Sequence, residues 1–541
     1  MLRFIIIFFF VFNFYSSSSH AELLVNTKDG SGIDLNSSAY KVVAWLNKNS
    51  DYLKETNIHF NFNNSEDFHL NAVQIITSEL YDRLGLEKDK LFESIFGWSV
   101  KINSKNNPFK DNSFRFRSLY SLSSNRKELF NLAVTQLATD NQFSCKLPSV
   151  AKYIRGILKV NKTISSFECD KGLPYVEFVQ KKLIKKIKYI NLDKVHSVQF
   201  FFATQSKQIA SRFGHAMLKI VLCSEKRTSI SDKCLTDFSD HLILSFRAAT
   251  GLEPISAMKG LNGQYPMQIY FMNQDTAMRE YNLNEQRDLH GYTLNVSNDD
   301  KLMIVKRVIE SYWQYSGRYY FTSQNCATEL LSLLRSSLQR KNTLKDSPVT
   351  PIGLKNLLLK EKLISPINEK DDRFYFKSYE AKLSLSNEIL KGLKLGNNES
   401  NIDLASLNRE DRILIANTLI TRQQVAAFQI AYELFYDNQH SNEINKVILH
   451  IKESQQTQKL NEIKELEQAA TNGNYTMHSI THSLGIPMGR EIREIESKFI
   501  QLNIQLSELI NERIKSLAEE KMEIRLILQQ KNNSLTNGGL L

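Results

Sequence analysis

Ser323-Gln-Asn-Cys-Ala-Thr-Glu-Leu-Leu331 joins the aromatic run Tyr319-Tyr-Phe321 to an apolar stretch with helical spacing. Read as a strand entering a helix, it sets Cys326 at the helix start. Upstream the order is strands first. Val195-His-Ser-Val-Gln-Phe-Phe-Phe-Ala-Thr204, Ala216–Leu222, His241–Phe246 and Met267–Phe271 are rich in β-branched and aromatic residues. A helix at 299–315 follows, then Tyr319–Phe321 and a helix over 326–338. Strands followed by a helix that carries the cysteine predict an α+β domain.

The chain has 541 residues, a net charge of +11 and five cysteines. That length predicts several domains. Met1–Arg3 is basic, Phe4–Phe14 is almost wholly apolar, and Ser16–Ala21 ends in small residues. This is the pattern of a cleaved secretory signal over 1–21, too short for a comfortable membrane span. Export makes nucleic acid an improbable partner. The densest basic run, Lys181-Lys-Leu-Ile-Lys-Lys-Ile-Lys188, has apolar residues at helical spacing. It reads either as a solvated helix face or as a helix resting on anionic lipid headgroups or an anionic wall polymer.

Residues 22–144 read as mainly helical, with candidates at Asn36–Leu46 and Lys127–Val134 and a short strand within Phe109–Tyr120. A helix is expected over Val150–Val160. Residues 145–365 form the α+β domain. Residues 366–541 are all-helical after a polar, loop-like stretch at 365–405. Ile492, Ile495, Phe499, Leu502, Leu506 and Leu509 keep a three-four spacing that shifts to Ile510, Ile514, Leu517, Ile524 and Leu528. That stripe predicts a long amphipathic helix of coiled-coil character, packed on its own chain or forming a dimer seam.

Cys145 and Cys169 lie near each other in sequence, as do Cys223 and Cys234. Each pair closes a modest loop if oxidised, and the Cys145–Cys169 loop contributes on the order of 3 kcal/mol in the chain-entropy model. Cys326 is then left over, and an unpaired thiol in an oxidising compartment points to chemistry. About 110 residues earlier stands His215, in Phe213-Gly-His215. A thiol and an imidazole are the minimum for covalent acyl chemistry. The imidazole stabilises a thiolate, and a helix start adds its dipole and free N–H groups for an oxyanion. The neighbouring strand offers Ser245, or else His241, to orient the ring. No ligand spacing for zinc and no Gly-x-Ser-x-Gly elbow occurs at these positions, so neither a metal nor another cofactor is expected.

Ser211-Arg-Phe-Gly-His215, the strand after it, Lys259-Gly-Leu-Asn-Gly-Gln-Tyr-Pro266 and Gln324-Asn-Cys326 with Leu330, Leu331 and Leu334 resemble the Lnb N-terminal periplasmic domain family. Cys145-Lys-Leu-Pro148 resembles a cysteine-proline motif upstream in that family. The resemblance spans roughly 140–365. It implies a circularly permuted papain-like, NlpC-type domain with histidine before cysteine. It implies a periplasmic protein and acyl transfer from phospholipid, through a Cys326 thioester, to the N-terminal amine of a bacterial lipoprotein. His215 is then the base, Asn325 or the Cys326 N–H serves the oxyanion, and Arg212 and the 181–188 run meet phosphate groups. Family acyltransferases carry membrane-spanning helices after the domain, whereas a helical tail follows here. A hydrolase, a cell-wall peptidase or amidase, and a non-catalytic envelope scaffold are the alternatives.

Overall fold

The computed structural model describes residues 70–96, 126–160, 172–177, 187–205, 214–249, 257–315, 317–339, 344–391, 404–453 and 485–537, with a few isolated positions. The signal segment, the 109–120 strand and most of the basic run lie outside them. Of the 36–46 helix only Val42, Trp45 and Leu46 are described, all helical. The chain divides into two compact units, Met1–Asp170 and Lys171–Leu541.

In the first unit, α1 (Leu70–Arg83), α2 (Lys90–Phe96), α3 (Arg126–Thr139) and α4 (Pro148–Ile157) pack on one another. Pro148 opens α4, where its missing N–H has no intrahelical partner to lose. The core is aromatic: Phe92 stacks on Phe96 at 4.3 Å and meets Tyr81 and Tyr153 edge-on. A disulfide joins Cys145 to Cys169 within this unit.

The second unit is built on a seven-stranded antiparallel sheet. Its strands are β3 (Val195–Ala203), β4 (His215–Leu222), β5 (Leu242–Ala248), β6 (Tyr265–Asn273), β7 (Leu289–Thr293), β8 (Gly317–Tyr319) and β9 (Tyr375–Phe376), in the order β8-β6-β5-β4-β3-β7-β9. A separate hairpin pairs β1 (Gly172–Val176) with β2 (Ile187–Asn191). Consecutive strands β3 to β6 are neighbours, so a meander forms the sheet centre. The central strands are buried on both faces, which is why Ala216–Leu222 shows no polar alternation. One face holds Phe201, Met217, Ile243, Met272, Leu289 and Phe376. The short α5 (Ala257–Leu261) precedes β6, the long α6 (Asn298–Gln314) and α7 (Cys326–Leu338) pack together against the sheet, and Trp313 ties the hairpin to α6 through the Pro174 carbonyl at 2.8 Å. The second disulfide, Cys223–Cys234, ties the end of β4 to the loop before β5.

Helices flank this sheet on the C-terminal side: α8 (Pro351–Lys360), α9 (Glu380–Lys391), α10 (Arg409–Thr418), α11 (Arg422–Glu453) and α12 (Arg490–Asn537). Ile524 and Leu528 of α12 pack on Phe428 and Tyr432 of α11, so part of the apolar stripe is covered by the same chain. Arg412 and Glu520 form a buried ion pair at 2.7 Å, and Tyr432 joins it at 3.1 Å. No helix among the described residues is long and apolar enough to cross a membrane.

Two sequence expectations are corrected here. The end of the basic run is not helical: Ile187 and Lys188 belong to β2, where Lys188 bonds Glu177. Pairing with Val176 and Tyr175 of β1 holds these two residues in a strand. The 365–405 stretch is not merely loop. It contributes β9, whose Phe376 closes the apolar cluster beside β7, and α9, which packs along α11.

Candidate active site

His215 is the first residue of β4, and Gly214 places it there. Gly214 has φ +81°, and a Cβ at that position would lie 3.0 Å from both the Ala203 carbonyl and the Phe202 ring. Only glycine enters the strand this way. The His215 Nε2 lies 2.7 Å from the Ser245 hydroxyl, and its ring lies over Tyr281 at 5.8 Å. The register settles which neighbour is reached. Met217 faces Ser245, so Ser245 shares the sheet face with Met217 and, two residues back, His215. His241 points elsewhere, with its nitrogens 2.9 Å from Gln274 Oε1 and 2.8 Å from the Cys234 carbonyl.

A buried polar cluster surrounds the imidazole. Arg247 Nε donates to Ser245 Oγ at 2.9 Å, and its two terminal nitrogens donate to Glu280 at 2.7 Å and to the Tyr281 hydroxyl at 2.8 Å. Arg287 donates to the Thr204 and Ala203 carbonyls and pairs with Glu285 at 2.6 Å. Burial, followed by the Arg247 and then the Arg287 charge, pushes the His215 pKa well below its ordinary value. The resting imidazole is therefore neutral at physiological pH. Replacing Arg247 with methionine removes a cation beside the ring, so the His215 pKa is expected to rise. An NMR titration of the imidazole protons checks this; an unmoved midpoint contradicts it.

Cys326 is the first residue of α7, only 3 % exposed, and the one free cysteine among the described residues. Burial raises its thiol pKa to about 11, against opposing effects from the N–H groups of Ala216 and Ala327. The thiol thus lies at the peptide that follows His215. The sequence expectation of an imidazole-stabilised thiolate is not what the resting charges favour, because desolvation outweighs the local N–H groups. Asn325 caps the helix. Its Oδ1 accepts from the Ala327 and Thr328 N–H groups, while its amide donates to the Phe321 and Val349 carbonyls at 3.2 and 2.8 Å. The Asn325 amide is therefore engaged, which leaves the backbone N–H of Cys326 as the donor at this helix start. Arg212 lies outside the described residues.

The glycines of Lys259–Pro266 hold the loop before Cys326. Phe321 N–H donates to the Gly260 carbonyl at 3.1 Å, and a Cβ on Gly260 would meet the Phe321 ring at 2.0 Å. Sequence reasoning missed Arg247, Tyr281, Glu280 and Arg287. Arg247 was legible, since it stands two residues after Ser245 on the same strand face. Glu280 and Tyr281 were not, because they lie on a π-helical segment, Met278–Asn284, whose spacing matches neither a strand nor an α-helix.

No curated protein and no solved structure matches the chain. Residues 185–360, which include His215, Ser245 and Cys326, match the family model of the Lnb N-terminal periplasmic domain.

Proposed function

We propose that the Lys171–Leu541 unit contains a circularly permuted papain-like domain that performs cysteine-dependent acyl transfer on phospholipid or lipoprotein in the periplasm. The observation that carries this reading is the His215–Ser245 contact at 2.7 Å together with a free thiol at the start of α7 that meets the N–H of Ala216, the residue after His215. The histidine precedes the cysteine, as the permuted order requires. The family's description as periplasmic supports the compartment, and so do two disulfides, which persist under oxidising conditions.

With Nε2 held by Ser245, Nδ1 is the nitrogen left for the thiol. The Cys326 sulfur attacks the ester carbonyl of a lipid as the thiol proton passes to the neutral His215. The Cys326 backbone N–H, at the positive end of α7, faces the oxyanion. Collapse breaks the ester C–O bond, and the imidazolium returns its proton to the departing alkoxide. The products are a thioester on Cys326 and a deacylated lipid alcohol. An amine, such as a lipoprotein N-terminus, then attacks the thioester and receives the acyl group. Water in its place makes the protein a hydrolase. Ser245 and Arg247 act by holding the ring, not by touching substrate.

Intact-mass measurement of the protein after incubation with phospholipid tests the reading. A fatty-acyl mass on the wild type that is absent from Cys326→Ala is expected. No adduct with any phospholipid, together with cleavage of wall-derived peptides, would replace it with a peptidase.

A further inference from the structure

Four large apolar side chains stand exposed on two segments that are hydrogen-bonded to the turn before Cys326. Met258 and Leu261, 66 % and 49 % exposed, belong to the short helix Ala257–Leu261. Val349 and Ile352, 47 % and 41 % exposed, stand at the entry to α8. Hydrogen bonds run between the two places through the residues just before Cys326. Gly260 accepts from the Phe321 N–H, and the Asn325 amide bridges the Phe321 and Val349 carbonyls. Exposed apolar side chains scattered singly need no explanation, but a group at one site marks an interaction surface.

The composition of this surface selects its partner. Residues 257–264 and 344–362 contain five lysines, Lys259, Lys345, Lys355, Lys360 and Lys362, against two carboxylates, Asp346 and Glu361. Lys360 pairs with Asp346 at 2.9 Å. Protein interfaces favour aromatic residues and arginine over lysine. Exposed aliphatic side chains on segments with an excess of lysine suit an anionic bilayer surface, where apolar chains enter the headgroup boundary and ammonium groups meet phosphate.

We infer that Ala257–Leu261 and the entry to α8 form a docking surface for an anionic lipid bilayer, which brings the Cys326 end of α7 to the lipid. The inference rests on the proposed lipid substrate, and its test is arranged to fail separately. Co-sedimentation uses full-length Cys326→Ala protein, so that no chemistry intervenes. The vesicles are phosphatidylcholine with or without phosphatidylglycerol. Binding to the phosphatidylglycerol vesicles, weakening with salt, is expected. The double variant Met258→Glu with Ile352→Glu should bind at least tenfold less at an unchanged melting temperature, since both side chains are exposed.

Equal binding by the double variant would overturn the inference and move the contact to another basic segment. Failure to bind either vesicle would also overturn it and point to a protein partner. An acyl adduct on wild type without vesicle binding defeats the docking surface alone. Vesicle binding without an adduct defeats the proposed chemistry alone.

Discussion

Cys326→Ala is expected to abolish acyl transfer, and His215→Ala to slow it by roughly 10²–10⁴-fold, the range for loss of a positioned general base. The resting charges of the two side chains set this dependence. Burial holds the Cys326 thiol protonated, with its pKa up at about 11, and holds His215 neutral. Proton transfer must then accompany attack, so the base matters to the rate of that step. The sign of the pH dependence follows. Activity requires neutral His215, whose pKa is pushed down, so kcat/KM should fall only at pH well below 6.5. Alkylation of Cys326 by iodoacetamide should be slow at neutral pH and climb toward pH 11 as thiolate forms. A thiolate absorbance near neutral pH, or an acid limb at pH 6.5 or above, would show instead that a charged pair is the resting state. Both variants should keep the fold, because Asn325 caps α7 without help from the Cys326 sulfur and Gly214 sets the entry to β4.

Much of the sheet was legible because burial on both faces leaves continuous apolar runs. Phe200–Ala203 and, apart from Lys219, Ala216–Leu222 are such runs. Cys326 was legible through the strand-helix punctuation of Gln324-Asn-Cys, and the structure gives that asparagine the capping role such a position favours. β7 escaped because Leu289-His-Gly-Tyr-Thr293 is short and interrupted by a glycine. The end of the basic run, Ile187 and Lys188, was misread because the helical spacing of its apolar residues does not report the partner strand β1. The choice between Ser245 and His241 was a question of register. A one-residue slip exchanges the two faces of a strand, so only the pairing of Met217 with Ser245 could decide it.

The least legible residue is Lys219, four positions after His215 on the same face of β4. Inside an apolar strand it looks like a solvent-facing interruption, yet it is fully buried. Its Nζ has no hydrogen-bond partner among the described residues and stands 5.4 to 5.9 Å from the Phe376, Phe201 and Phe238 ring centres. Three ring faces favour an ammonium by about 0.5–2 kcal/mol each. Desolvation opposes them and wins, lowering the Lys219 pKa from 10.5 to about 7. The unfolded chain binds a proton that the folded chain loses between these values. The Lys219 contribution to stability should therefore rise with pH by about 1.4 kcal/mol per unit from near pH 7, until the unfolded Cys326 thiol, whose folded pKa is raised to about 11, starts to ionise above about pH 8.5 and opposes it. His241, held down to about 4 mainly by burial and then by the Lys219 charge, acts in the same direction but at acid pH, outside this window. Lys219→Met has similar length and no charge. It should raise stability at pH 7 by a few kcal/mol and flatten the alkaline slope. Denaturant unfolding of both proteins at pH 7 and 9.5 measures the difference. Parallel pH profiles would mean that the rings keep the ammonium charged in the folded protein. A less stable methionine variant would mean that the three-ring cage stabilises the cation more than burial penalises it.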